Sequence, residues 1–198
     1  MKQIPNKTTY DASFTVGGIL YNEFSNLKNY LLAEDFENII KNDIEENKLL
    51  AIATLSARKR IVLEIIRRHK IMSPIFWNFF QNLNESESKL ALFFVSLKTY
   101  PIVFDLHFQV TVNRWKLGLE LTEYDIQMRL DELSSTSVDV ENWSKTTIRK
   151  INTRYRKAIE EAGLYTKETV HKPLNISQSF WAYFKENDEI WFLDACFM

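Results

Sequence analysis

Apolar residues recur along most of this chain at the three- and four-residue steps of a buried helical stripe, and capping residues fall in the polar breaks between them. After Gly17-Gly18, the stretch FTVGGILYNEFSNLKNYLLAE takes up this rhythm with Ile19, Leu20, Phe24, Leu27 and Leu31. Asp35 is placed to cap a second helix that carries Phe36, Ile39, Ile40 and Ile44. Ser56 is placed to cap a third, through TLSARKRIVLEIIRRHK. Ser73-Pro74 reads as an N-cap followed by proline at the first helical position, opening SPIFWNFFQNL. Ser86 then starts a helix that stops before Pro101. The segment IVFDLHFQVTVNRWKL predicts a helix ended by Gly118, although its β-branched residues also suit a strand. Thr122 and Asp125 have capping-box spacing and open a helix through Leu133. Residues 134–142, SSTSVDVEN, are the most linker-like stretch. A helix over 143–162 follows and stops at Gly163. LYTKETVHKP fits a strand or a small wing, Ser177 caps SQSFWAYFKEN, and EIWFLDACF closes as a short strand or helix.

The pattern predicts an all-α, compact multi-helix fold of two packed helical subdomains. Residues 1–13 are a polar arm, 14–120 an N-terminal helical subdomain and 121–198 a C-terminal one, winged-helix-like with a minor β element. Composition agrees. The 198 residues are 45% hydrophobic and 14% aromatic, with only four Gly and four Pro, which is ample for a core and too few turn residues for many short strands. The net charge of −1 gives no global attraction to nucleic acid or to an acidic membrane, so any such attraction must be local. A lone cysteine, Cys196, excludes an internal disulfide and a Cys-based zinc site, and fits a reducing cytoplasm. The opening MKQIPNKTTYDASF lacks the apolar region of a signal peptide. The longest apolar runs, such as LALFFVSL, fall well short of the roughly 20 residues of a membrane span. The expectation is a soluble, cytoplasmic protein with no membrane partner.

Charge clusters in WSKTTIRKINTRYRK, residues 143–157, which holds six Lys or Arg and no Asp or Glu. At about 100° per residue, Ile148, Ile151, Tyr155, Ala158, Ile159 and Ala162 fall in one apolar sector. Lys145, Arg149 and Arg156 lie beside that sector, and Lys150, Arg154 and Lys157 lie opposite it. Charge runs are usually solvated helix faces. Ordinary exposed helices mix signs to gain i,i+4 pairs, however, whereas this one repels itself. The interleaved Ser144, Thr146, Thr147, Asn152 and Thr153 are also the short polar groups that accompany Arg and Lys at phosphates. A second patch, ARKRIVLEIIRRHK, contains Glu64 four residues from both Arg60 and Arg68, so intrahelical pairs are expected to absorb part of its charge.

Catalytic signatures are missing. Gly17-Gly18 lacks the spacing and the lysine of a phosphate-binding loop and suits close packing or a tight turn. His69, His107 and His171 have no metal-ligand spacing, and no serine stands in a nucleophile elbow. Asp139, Glu141 and Lys145 faintly resemble a nuclease metal site but fall in a loop before a helix. Trp143 and Trp181 fit a core better than base stacking. The expectation is a protein without enzymatic activity, cofactor or metal.

Four stretches in order, FTVGGILYNEF (14–24), SARKRIVLEIIRR (56–68), FDLHFQVTV (104–112) and above all WSKTTIRKINTRYRKAIEEAGL (143–164), resemble the BrxA family of BREX phage-resistance systems. The resemblance spans about residues 10 to 185. It implies an all-helical, non-enzymatic protein that binds double-stranded DNA within a bacterial defence island, with other BREX subunits as further partners. The family's likeness to the RNA-binding antitermination factor NusB keeps RNA open as a ligand. A protein-interaction module that docks its basic face on an acidic subunit is the other reading. The C-terminal part is similar to a winged helix-turn-helix, with 143–162 as the recognition-type helix and 164–173 as the wing. The nine residues between Leu133 and Trp143 exceed the usual short turn, which favours backbone contact over groove insertion. On this reading Ser144, Lys145, Thr146, Arg149, Lys150, Thr153, Arg154, Arg156 and Lys157 contact DNA, helped by Arg58, Lys59 and Arg60.

Overall fold

The centre of the computed structural model, which describes residues 9–198, is a helix buried on every side along its middle. In α5 (Glu85–Thr99), eleven of fifteen residues are buried, and the nearly all-apolar run Leu90–Leu97 belongs inside the protein. Asn84 caps it, with Glu87 completing a capping box. The start is thus set two residues before the predicted Ser86, because Asn84 can exchange hydrogen bonds with Glu87 at N3. The two hydroxyls in its last turns are satisfied within the helix, Ser96 to Leu92 O (2.9 Å) and Thr99 to Val95 O (2.7 Å).

Eight of the other helices fall on either side of α5 in the chain in a simple order. Before it come α1 (Tyr21–Asn26), α2 (Phe36–Glu46), α3 (Leu55–Ile71) and α4 (Pro74–Gln81). After it come α6 (Pro101–Lys116), α7 (Glu123–Thr136), α8 (Val138–Glu141) and α9 (Lys145–Glu161). A hairpin of β1 (Tyr165–Thr166) and β2 (Thr169–Val170) leads to α10 (Gln178–Glu186) and α11 (Trp191–Ala195). The caps expected at Ser73, Thr122, Ser144 and Ser177 are all present. α3 is capped by Thr54, not Ser56. Asp35 occupies the N-cap position of α2 without a side-chain bond.

One reading left open is decided, and two change. The stretch 101–116 is helical and not a strand; its β-branched Ile102, Val103, Val110, Thr111 and Val112 are buried among neighbouring helices, where tertiary packing overrides propensity. It meets α5 at 109° because Tyr100, before proline, is held extended at φ −120° and ψ 104°. It also widens to a π-helix over Leu106–Thr111. The linker-like residues 134–142 are not a linker: they finish α7 and form α8, whose Val140 is fully buried. The helix expected after Gly17-Gly18 shortens to α1 and passes into a 3₁₀ turn at Lys28–Tyr30, and a further 3₁₀ turn, Ser13–Val16, precedes the glycines.

The C-terminal helices close over α4 and α5 through aromatic side chains: Phe79 stacks on Tyr183 (3.9 Å between centroids), and Phe94 meets Phe184 and Phe192 (4.9 Å each). The buried apolar residues form one cluster from Phe14 to Phe197 with members on both sides of residue 120. The segment predicted as a polar arm is described from Thr9 onward; its residues 1–8 lie outside the described part. Among the described residues no single helix is long and apolar enough to cross a membrane.

Gly17 is required by close approach. A Cβ there would stand 2.1 Å from Leu20 Cδ2, and Leu20 is itself left-handed at φ 57° with a buried side chain. Gly17→Ala is expected to lose about 1–3 kcal/mol, read as a lower thermal midpoint; an unchanged midpoint would show that Leu20 can move aside.

Candidate nucleic-acid interface

The basic helix α9 is anchored from three sides. Ser144 Oγ accepts from Thr147 N (3.1 Å), and Ile148, Ile151, Tyr155, Ala158 and Ile159 are buried. Asn152, also buried, donates to Glu123 O at the start of α7 (3.0 Å). Behind the helix, Tyr155 Oη lies 2.6 Å from Thr111 Oγ1 and 2.9 Å from His107 Nδ1, and His107 Nε2 lies 2.8 Å from Ala195 O. A carbonyl only accepts, so Nε2 carries the proton. Nδ1 then accepts from Tyr155, and Tyr155 accepts from Thr111. Each bond has one donor and one acceptor, and the chain of bonds ties α9 to α6 and to α11. Burial pushes the His107 pKa down to about 4 and raises that of Tyr155, so both are neutral.

The exposed arc of α9 is not used evenly. Thr146, Arg149, Lys150, Thr153 and Arg154 line one shallow depression of about 310 Å³. Lys150 and Arg154 also line a second, about 270 Å³, with Arg60, Ala57 and Ile61 of α3 and with Thr15 and Val16 of the 3₁₀ turn Ser13–Val16. The two basic patches therefore meet across one cleft. No carboxylate lines either depression. Among the described residues none of Arg60, Lys145, Arg149, Lys150 or Arg154 has a carboxylate within 4.0 Å.

The remaining predicted contacts are placed elsewhere. Arg156 pairs with Glu123 (2.7 Å) and donates to Asn152 Oδ1 (3.0 Å). Lys157 approaches Glu161 at 3.7 Å. Ser144 is occupied in capping, and Lys145 and Lys59 are exposed outside the cleft. Arg58 is turned to the loop before α3, donating to Ile44 O (2.6 Å) and Ile52 O (2.8 Å). The expected Glu64 pairs do not form: Glu64 is buried and accepts from Tyr100 Oη, while Arg68 donates to that same hydroxyl. This inward turn of Glu64 is what leaves Arg60 free. Thr15 and Val16 carry no charge or motif that would have marked them as cleft floor.

Of the other groups considered, Asp139 accepts from Tyr10 N (3.0 Å). His69 is packed between Phe36 and Trp77 with Nε2 on Leu31 O (2.8 Å). Among the described residues no three His, Cys, Asp or Glu side chains converge to hold a metal.

Fold and cleft together define a small helical protein in which, among the described residues, a carboxylate-free cationic cleft is built across the N- and C-terminal halves. The BrxA family profile matches residues 8–188. The chain therefore belongs to the BrxA family and is a BREX-associated protein. Among solved structures it is similar to the crystal structure of an uncharacterized protein from Magnetospirillum magneticum, with a TM-score of 0.76 and 19% identity over 96% of this chain and 98% of that one. That likeness concerns the fold. No curated protein matches the chain.

Proposed function

We propose that this protein is a non-enzymatic accessory subunit of a cytoplasmic BREX system that binds double-stranded DNA through its phosphate backbone. The observation that carries this reading is the meeting of Arg60 with Lys150 and Arg154 across one cleft without a carboxylate. Arg149, Thr146 and Thr153 extend the cationic surface along α9. Three helices, α7, α8 and α9, followed by a hairpin support the winged helix-turn-helix reading of the C-terminal part. The hairpin tip is tied back, with Leu121 N donating to Glu168 O (2.8 Å), so contact falls to the helix and the cleft. Phosphate contacts of this kind give weak sequence preference and steep salt dependence.

The test is duplex-DNA binding by fluorescence anisotropy across a salt series, comparing wild type with an Arg60→Gln, Lys150→Gln, Arg154→Gln variant of matching helicity. The variant should bind more weakly and its log–log salt slope should flatten by about 2.7, one counterion step per lost contact. Arg156→Gln, which removes a side chain already paired with Glu123, should leave the slope unchanged. Equal binding by wild type and triple variant, or none by either, sinks the reading. A clear preference for RNA over duplex would replace the ligand.

A further inference from the structure

Two adjacent residues near the N-terminus reach opposite sides of the protein. Tyr10 faces the C-terminal half. Its N–H donates to Asp139 of α8 (3.0 Å), and its hydroxyl donates to Asp105 of α6 (3.2 Å). Asp105 is in turn held by a two-pronged bond from Arg129 of α7 (2.7 and 2.8 Å). Asp11 faces the N-terminal half. Its carboxylate takes both prongs of Arg67 of α3 (3.1 and 2.6 Å) and also accepts from Ser13 N (2.9 Å). Paired prongs of this sort fix orientation as well as distance.

The chain then enters the 3₁₀ turn Ser13–Val16, which packs against both α3 and α9. Phe14 is wholly buried against the Tyr100 ring (5.3 Å). Thr15 and Val16 form the floor on which Arg60 faces Lys150 and Arg154. The segment is a wedge between the cationic walls, with an anchor on each side of it.

We propose that residues 10–16 are a positioning strap: they set the separation between the Arg60 wall and the Lys150/Arg154 wall, and the Asp11–Arg67 clamp holds that separation. None of the anchoring side chains lines the cleft, so they are positioning residues and not contacts. The functional consequence rests on the DNA reading above; the geometric claim does not.

The clamp can be opened from either end, with opposite changes in charge. Asp11→Ala removes a negative charge and Arg67→Met a positive one, so an effect common to both is geometric. Nitroxide labels on Lys59→Cys and Thr153→Cys, both exposed, report the span across the cleft; the native Cys196 is buried and stays unlabelled. In both clamp variants the distance distribution should broaden and lengthen relative to the intact strap. An unchanged distribution in both overturns the proposal. Should Asp11→Ala not fold, Arg67→Met carries the same test.

DNA binding supplies a second readout. With the strap intact, Arg60→Gln should flatten the salt slope by about 0.9. In either clamp variant the same substitution should change little, because Arg60 no longer faces the phosphates met by α9. Arg149→Gln, away from the strap, should flatten the slope equally in all backgrounds. General destabilisation would blunt both substitutions alike. If the two clamp variants instead shift affinity in opposite directions with their charge and keep the full Arg60 effect, the strap does not position the cleft. Absence of DNA binding by the wild type would strike the DNA reading alone and leave the strap to be judged by the label distances.

Discussion

Replacing Asp43 with alanine is expected to cost about 2–4 kcal/mol, several times a typical surface substitution. Asp43 is 2% exposed and its carboxylate collects three successive backbone N–H groups. Oδ1 accepts from Lys48 (2.7 Å) and Leu49 (2.8 Å), and Oδ2 from Leu50 (2.9 Å). The Leu50 bond is buried and those of Lys48 and Leu49 are part-buried. A buried donor left without a partner costs about 1–3 kcal/mol. The two part-buried ones cost less because water reaches them, and three in one turn are not fully additive. The loop is also held by Asn47, whose side chain accepts from Ile52 N (2.8 Å), and by the two Arg58 bonds to carbonyls. Together these fix where α3 begins and so where Arg60 stands. Urea unfolding of the purified protein reads the effect. Asp43→Asn, which keeps an accepting oxygen, should fall between wild type and alanine. A loss below about 1 kcal/mol for the alanine variant would mean that the loop finds other partners.

Acid should weaken the protein through His107 before it reaches most carboxylates. The ordinary histidine value is 6.5, and in the folded protein burial lowers it to about 4. Above 6.5 both folded and unfolded chains hold the ring neutral, and its contribution does not change with pH. Between 6.5 and about 4 only the unfolded chain takes the proton, so stability falls as pH falls. Below about 4 both are protonated and the loss levels off, at about 3 kcal/mol in all. Protonation inside the fold would put a second N–H on Nδ1 against the Tyr155 hydroxyl, which now donates to it, and the run of bonds from Thr111 would have to reverse. Stability measured by urea at about pH 7 and about pH 4.5 should drop more in wild type than in His107→Gln, which cannot bind that proton. The same drop in both would assign the acid sensitivity to other groups. Asp11 and Asp125 titrate below their usual range. Burial would raise each, but bonds from Arg67 and Ser13, and from Thr122 and Arg114, outweigh it. Their contribution is present above the ordinary carboxylate range and is lost as pH falls further.

What was legible in the sequence was local. The α9 helix, its Ser144 cap and its division into apolar and cationic arcs follow from periodicity and one hydroxyl, and the structure keeps all three. So do the caps at Ser73, Thr122 and Ser177, each decided within four residues. The site was only half legible because its second wall depends on distant partners. Arg58 and Arg60 are the same residue type two positions apart, about 200° around the helix. Only the fold shows that Arg58 meets the carbonyls of Ile44 and Ile52 while Arg60 meets the cleft. Glu64 was expected to absorb part of the charge of Arg60 and Arg68, and Tyr100, thirty-six residues away, draws it inward. Arg156 is taken by Glu123, thirty-three residues away. The run 134–142 lacks apolar weight apart from Val138 and Val140, and burial of Val140 against α7 makes it helical.

The separation of duties on α9 has an evolutionary consequence. Its core-facing residues and its cleft-facing residues share no position, and Asn152 and Arg156, bonded to each other (3.0 Å), line neither depression. Exposed substitutions of this kind usually change stability by no more than about 0.5 kcal/mol. Mutation can therefore rewrite the charge pattern of the outer arc, and with it the partner, while selection on folding sees almost nothing. A protein built this way can keep its architecture while most of its exposed residues change.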